Sequence, residues 1–125
     1  MSWIVDGMNV IGSRPTGWWR NRPGAMRELV DELDAFASAT GEPVTVVFDG
    51  RPFDLDGGPS VTVAFASRVG RNAADDDIAA LVEGTPEPAG LTVVTSDSEL
   101  AGRVRAGGAA VVGAGAFRRR LERAQ

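Results

Sequence analysis

Leu91-Thr92-Val93-Val94-Thr95-Ser96-Asp97-Ser98-Glu99 is a short apolar run that passes without a break into a helix start. Its apolar and β-branched residues follow one another with little alternation, as they do in a strand buried on both faces. Ser96 and Glu99 stand at capping-box spacing, which predicts a helix from Ser96-Asp97 through Val104, with Ser96 as its cap. A buried strand feeding directly into a helix is the repeating unit of an α/β fold, so the rest of the chain can be read for further copies of it.

Further copies are present on both sides. Ser2 to Val5 reads as a strand, followed by a polar loop from Gly12 to Gly24. Met26, Leu29, Val30, Leu33, Phe36 and Ala37 recur at helical spacing and predict an amphipathic helix over residues 24–39, ended by Gly41 and Pro43. Val44 to Phe48 is a second continuous apolar strand, and residues 50–59 form a turn-rich connection. Ser60 to Ala66 is a third strand, Asp75 to Glu83 a helix, Leu91 to Thr95 the fourth strand, Ala109 to Val112 the fifth, and Ala116 to Arg123 a terminal helix. The expected fold is a single α/β domain over residues 1–125: a mainly parallel five-stranded sheet with helices on both faces. Gly113-Ala114-Gly115 lacks the third glycine and the βαβ context of a dinucleotide loop.

Composition removes several chemistries. The chain has no His, Cys, Tyr or Lys, and all thirteen basic residues are Arg. Ser-His-Asp catalysis, Schiff bases, thiolate or imidazole metal sites and a P-loop lysine are therefore excluded. Asp, Glu, Asn, Ser, Thr and Arg remain, a set suited to metal-assisted chemistry. A net charge of −4 argues against a generic nucleic-acid-coating protein, yet leaves room for an enzyme that needs only a local Arg cluster. No apolar run reaches the roughly 18 residues of a membrane span and no basic-then-apolar leader is visible, so a cytoplasmic location is expected.

Carboxylates recur where strands end or helices begin: Asp6 in Val5-Asp6-Gly7-Met8-Asn9, Asp75 and Asp76 in Ala74-Asp75-Asp76-Asp77-Ile78, and Asp97 in Thr95-Ser96-Asp97, with Asp49 a fourth candidate after Phe48. Each has a local explanation. Asp-Gly-Met-Asn suits an Asx turn, and an acidic residue at a helix N-terminus gains about 0.3–1 kcal/mol from the dipole. Three successive aspartates exceed what capping needs, because they also repel one another; Asp77 is the one expected to be solvated. Strand ends in an open parallel sheet meet at the edge where such folds bind ligands. Carboxylates crowded there raise one another's pKa unless a cation holds them, and the natural cation for an all-oxygen cage is Mg²⁺ or Mn²⁺.

The combination resembles the NYN domain family, in particular its YacP-like branch, among the PIN-like ribonucleases. The resemblance is carried by Asp6-Gly7-Met8-Asn9-Val10-Ile11, Val46-Val47-Phe48-Asp49-Gly50, Ala74-Asp75-Asp76-Asp77-Ile78 and Val93-Val94-Thr95-Ser96-Asp97, and runs from the first strand to Leu121. It implies a Rossmann-like PIN/NYN fold and a Mg²⁺- or Mn²⁺-dependent endoribonuclease acting on single-stranded RNA with water as nucleophile. Asp6, Asp75 and Asp97 would form the metal-holding core, with Asn9 and Asp76 beside them in the catalytic group. The chain departs from longer YacP-like proteins in having no substantial C-terminal extension. A homodimer and a ribosomal or RNA-processing partner are both compatible with the resemblance, although no exposed apolar stripe compels pairing.

Arg14, Trp18 and Arg20 sit in the loop after the first strand, and Arg68 and Arg71 precede Asp75; these are the candidate RNA contacts, with one of Trp18 and Trp19 expected to be exposed. Arg118, Arg119, Arg120 and Arg123 read as a solvated helix face. A receiver-like phosphoacceptor would need a lysine that is missing, and a dehalogenase-type phosphatase would need a second Asp where Met8 stands. The alternative from another class is a catalytically weak RNA-binding or regulatory module on the same fold.

Overall fold

In the computed structural model, which describes residues 1–70 and 72–124, the apolar runs become β1 (Ser2–Asp6), β2 (Val44–Phe48), β3 (Val61–Phe65), β4 (Leu91–Val94) and β5 (Ala110–Val112). They form one sheet in the order β3-β2-β1-β4-β5, and every pairing is parallel. Five α-helices accompany them among the described residues: α1 (Gly7–Gly12), α2 (Arg22–Thr40), α3 (Ala73–Glu83), α4 (Ser98–Ala106) and α5 (Ala114–Ala124).

The pleat divides the core in two. Trp3 and Val5 of β1 face α1, α2 and α5, where Met26, Leu29, Leu33, Phe36, Phe117 and Leu121 pack on them. Ile4, between them in sequence, faces the opposite layer with Val47, Leu91 and Val93, against Ile78 and Val82 of α3 and Leu100 and Val104 of α4. Both faces of the central strands are thus covered, which is why they read as nearly continuous apolar runs.

The sheet is wholly parallel, where sequence supported only a mainly parallel one. Strands β2 and β3 pair in parallel from Val44↔Val61 to Phe48↔Phe65, although no α-helix joins them. Part of a crossover helix's role falls to the loop: Phe53 meets Phe65 edge-on at 5.7 Å between centroids, and Phe53 and Leu55 pack on the core. The Asp34 carboxylate of α2 accepts from the Ser60 N–H at 2.8 Å and holds the start of β3 in place.

Two local readings are corrected. The chain enters α1 at Gly7, directly after β1, where no helix was expected. Asp97, and not Ser96, caps α4: its Oδ1 accepts from the Leu100 N–H at 2.9 Å, while the Ser96 hydroxyl accepts from the Ala114 N–H at 2.8 Å. A serine and an aspartate are equally able caps; the demand of the α5 start for an acceptor decides between them.

Gly7 is required by close approach. A Cβ there would fall on the Phe48 ring and within 2.9 Å of Val46 Cγ2, both fully buried. Gly7→Ala is expected to cost about 1–3 kcal/mol by overpacking, read as a lower urea midpoint at unchanged slope.

Candidate active site

The site forms at the carboxyl edge of the sheet, where β1, β2 and β4 all deliver their last residues. Asp6 ends β1 and is only 5% exposed. Thr95, itself buried at the end of β4, donates its hydroxyl to Asp6 Oδ2 at 3.1 Å and accepts from the Asp97 N–H at 3.1 Å. Asn9, in α1, accepts the Ser96 N–H on its side-chain oxygen at 2.8 Å, which ties α1 to the β4–α4 turn. Asp49 follows β2 and accepts from the Ala74 N–H at 2.9 Å, which fixes the first turn of α3. Asn72 precedes that turn with φ of 62°, a left-handed conformation that Asn tolerates better than most residues.

These elements enclose a cleft of about 250 Å³ lined by Asp6, Met8, Asn9, Asp49, Asn72, Asp75 and Asp97. Asp6, Asn9, Asp75 and Asp97 are thus brought together as the sequence led us to expect, and Asp49 joins them. Thr95 and Asn72 were missed. A threonine closing an apolar strand beside a carboxylate was the available signal for the first, and nothing local marked the second.

Asp76 is placed differently. Its carboxylate points away from the cleft wall to Arg68 Nη2 at 2.5 Å and Arg103 Nη1 at 2.9 Å. Asp77 was read as solvated; it accepts from both the Ser67 N–H and the Ser67 hydroxyl, and so staples the loop after β3 to α3. Arg14 and Trp18 lie along a separate cavity of about 800 Å³ between α2 and α5. There Arg14 is paired with Glu32 at 2.8 Å, and Trp18 packs against the core. Trp19 is the exposed member of the tryptophan pair, at 64%, with the Arg20 guanidinium 6.0 Å from its ring centroid. Arg71 lies outside the described residues. We take the smaller cleft as the chemical site, because the large cavity balances three Arg with three Glu, with Arg14–Glu32 and Arg118–Glu122 paired, whereas every charged residue lining the cleft is an aspartate.

Burial and crowding together set the electrostatics. Burial pushes the Asp6 carboxyl up to about 7; the Thr95 hydroxyl opposes the rise, and the charges of Asp75 and Asp49 add to it. Asp75 is likewise raised, by burial first and then by Asp97 and Asp49, with Arg103 opposing. Asp76 is held below the usual carboxylate range by its two guanidinium partners.

The donor chemistry suits a hard divalent ion. Four aspartates and two asparagines converge, Asp49 and Asp97 each bond through one oxygen, and Asp75 makes no side-chain hydrogen bond among the described residues. Among the described residues no three of these groups already stand at metal-cage spacing, so a cation would have to draw them inward.

The family model of the YacP-like NYN domain matches residues 3–125. The chain belongs to the YacP-like NYN family. Membership implies a PIN-like ribonuclease. The fold is similar to two crystal structures of Rae1 (YacP) from Bacillus subtilis. One, of a tryptophan-to-leucine mutant, superposes with a TM-score of 0.83 at 28% identity over 99% of this chain and 77% of that one. The other gives 0.79 at 26% identity over 99% and 75%. Among curated proteins none matches. This YacP-like NYN domain has, among its described residues, no helix long and apolar enough to cross a membrane.

Proposed function

We propose that this YacP-like NYN domain is a Mg²⁺- or Mn²⁺-dependent endoribonuclease that hydrolyses single-stranded RNA. The observation that supports it is the convergence of Asp6, Asp75 and Asp97, from β1, α3 and the α4 cap, on one cleft with a buried carboxyl at its floor. These three residues would hold the ion, with Asp49 as a fourth acidic neighbour. When bound, such an ion neutralises phosphate charge and acidifies water, which replaces the histidine this chain lacks.

The remaining work falls to the chain's own residues. Thr95 orients the Asp6 carboxylate, and the backbone N–H of Asp97 in turn orients Thr95. Asn9 commits its side-chain oxygen to Ser96, which leaves its NH₂ group as a donor toward a phosphate oxygen or water in the cleft. Trp19 offers an exposed face for base stacking, worth about 1–3 kcal/mol per base, with Arg20 beside it for phosphate.

With water as the nucleophile, labelled single-stranded RNA incubated with Mn²⁺ is expected to yield fragments ending in 5′-phosphate and 3′-hydroxyl. Recovery of 2′,3′-cyclic phosphate ends would sink this mechanism. RNA binding without turnover would move the assignment to a binding or regulatory module of the same fold.

A further inference from the structure

We infer that Arg68 and Arg103, bridged by Asp76, form a phosphate clamp on the rim of the carboxylate cleft, gripping the RNA backbone beside the phosphodiester that is cut. This rests on the nuclease reading of the cleft and goes beyond it, because it assigns an anchoring site and makes Asp76 a positioning residue.

The placement begins with helix geometry. Successive residues on an α-helix point about 100° apart, so Asp75 and Asp76 in the first turn of α3 cannot face the same way. Asp75 lines the cleft; Asp76 turns aside, and each of its oxygens is occupied by a different guanidinium. Arg68 comes from the loop before α3 and Arg103 from the second turn of α4. Both guanidiniums meet the carboxylate of Asp76, the residue next to cleft-lining Asp75, which sets them at the rim.

The bridge is a poor stabiliser. Its side chains are 52%, 50% and 42% exposed, and ion pairs in such positions contribute about 0–1 kcal/mol. Two cations share one carboxylate, so one positive charge is uncompensated within the bridge. Each guanidinium has five N–H donors and gives Asp76 only one hydrogen bond; among the described residues neither side chain makes another. Donor forks held by a carboxylate but left open to solvent match the geometry of a phosphate. The need for such a group is electrostatic: a cleft lined by four aspartates repels a polyanion, and a basic rim offsets that repulsion where the strand enters.

The test is binding of a fluorescent single-stranded RNA across a salt series, on an Asp75→Asn background so that the RNA stays intact. Arg103→Ala and Arg68→Ala are each expected to weaken binding about three- to tenfold at low salt and to reduce the slope of log K against log salt by about one. Arg103→Lys should keep the slope and lose part of the affinity, since it retains the charge without the fork. In an otherwise wild-type chain, Asp76→Asn should keep the Mn²⁺-induced rise in Tm; its loss would make Asp76 a metal contact and overturn its positioning role. Unaltered affinity and slope in both alanine variants would overturn the clamp. Cleavage by the wild type is assayed in parallel. A reduced slope without any wild-type cleavage keeps Arg68 and Arg103 as an RNA-backbone grip and removes the nuclease reading; metal-dependent cleavage with an unaltered slope keeps the nuclease and removes the clamp. Absence of RNA binding by the parent background and by the wild type would overturn the clamp.

Discussion

Asp75→Asn is expected to lower Mn²⁺-dependent cleavage of single-stranded RNA by about 10²- to 10³-fold, the scale on which one preorganised charged or hydrogen-bonding contact to a developing transition state acts. Asp75 has no visible structural duty among the described residues. Neither of its carboxylate oxygens hydrogen-bonds to another described residue, and the neighbouring Asp49 carboxylate, not Asp75, holds the α3 backbone. Asn keeps the shape and removes the charge. Burial and the charges of Asp97 and Asp49 disfavour ionisation of Asp75, so the substitution relieves repulsion and Tm should not fall. Loss of activity with Tm maintained or raised would locate the chemistry at this carboxylate. Equal cutting by both proteins would place it elsewhere.

That division between chemical and structural carboxylates is only partly visible in the sequence. Strands β1, β2 and β4 are legible because they are buried on both faces and so carry unbroken apolar runs; once they are parallel, their ends must share an edge, and Asp6 and Asp97 converge as a consequence. Helix α1 is not legible, since six residues are too few to show a 3.6-residue period and Asp6-Gly7-Met8-Asn9 is as good a turn as a helix start. Its presence is felt instead through Gly7, whose missing side chain lets α1 sit on Phe48. The exchange of capping roles between Ser96 and Asp97 depends on Ala114, and the orientation of Asp76 depends on Arg103, 27 positions away. Long-range partners of this kind leave no local mark. The composition does show that no histidine or cysteine could intervene, which is why the carboxylates could be singled out before their geometry was known.

The second large effect concerns stability. Asp6→Asn is expected to stabilise the protein in metal-free buffer at pH 8 by about 2–4 kcal/mol, with the gain shrinking toward zero as the pH falls to about 4. The sign follows from the direction of the shift. Asp6 ionises near 3.8 in the unfolded chain and at about 7 in the folded one, so between those values the folded state holds a proton that the unfolded state has released. Its contribution is therefore full below about pH 3.8 and is lost as the pH rises through about 7, where a buried carboxylate must stand ionised beside Asp75 and Asp49. The displacement corresponds to about 4 kcal/mol, the upper end of the expected gain. Asn retains a side-chain oxygen to accept the Thr95 hydroxyl, and losing an acceptor for the Asn9 N–H keeps the gain below that ceiling. Added Mn²⁺ should have the opposite pattern: a rise in Tm for the wild type at pH 8, where Asp6 is ionised and can bind, and little or none for Asp6→Asn. Urea titrations of both proteins at several pH values, with and without Mn²⁺, decide the matter. A constant difference across pH would mean that Asp6 does not carry the shifted proton. A difference that opens with pH in the absence of metal and closes when Mn²⁺ is added would show instability stored at the floor of the cleft and relieved by the cation, as expected of carboxylates placed for binding and not for folding.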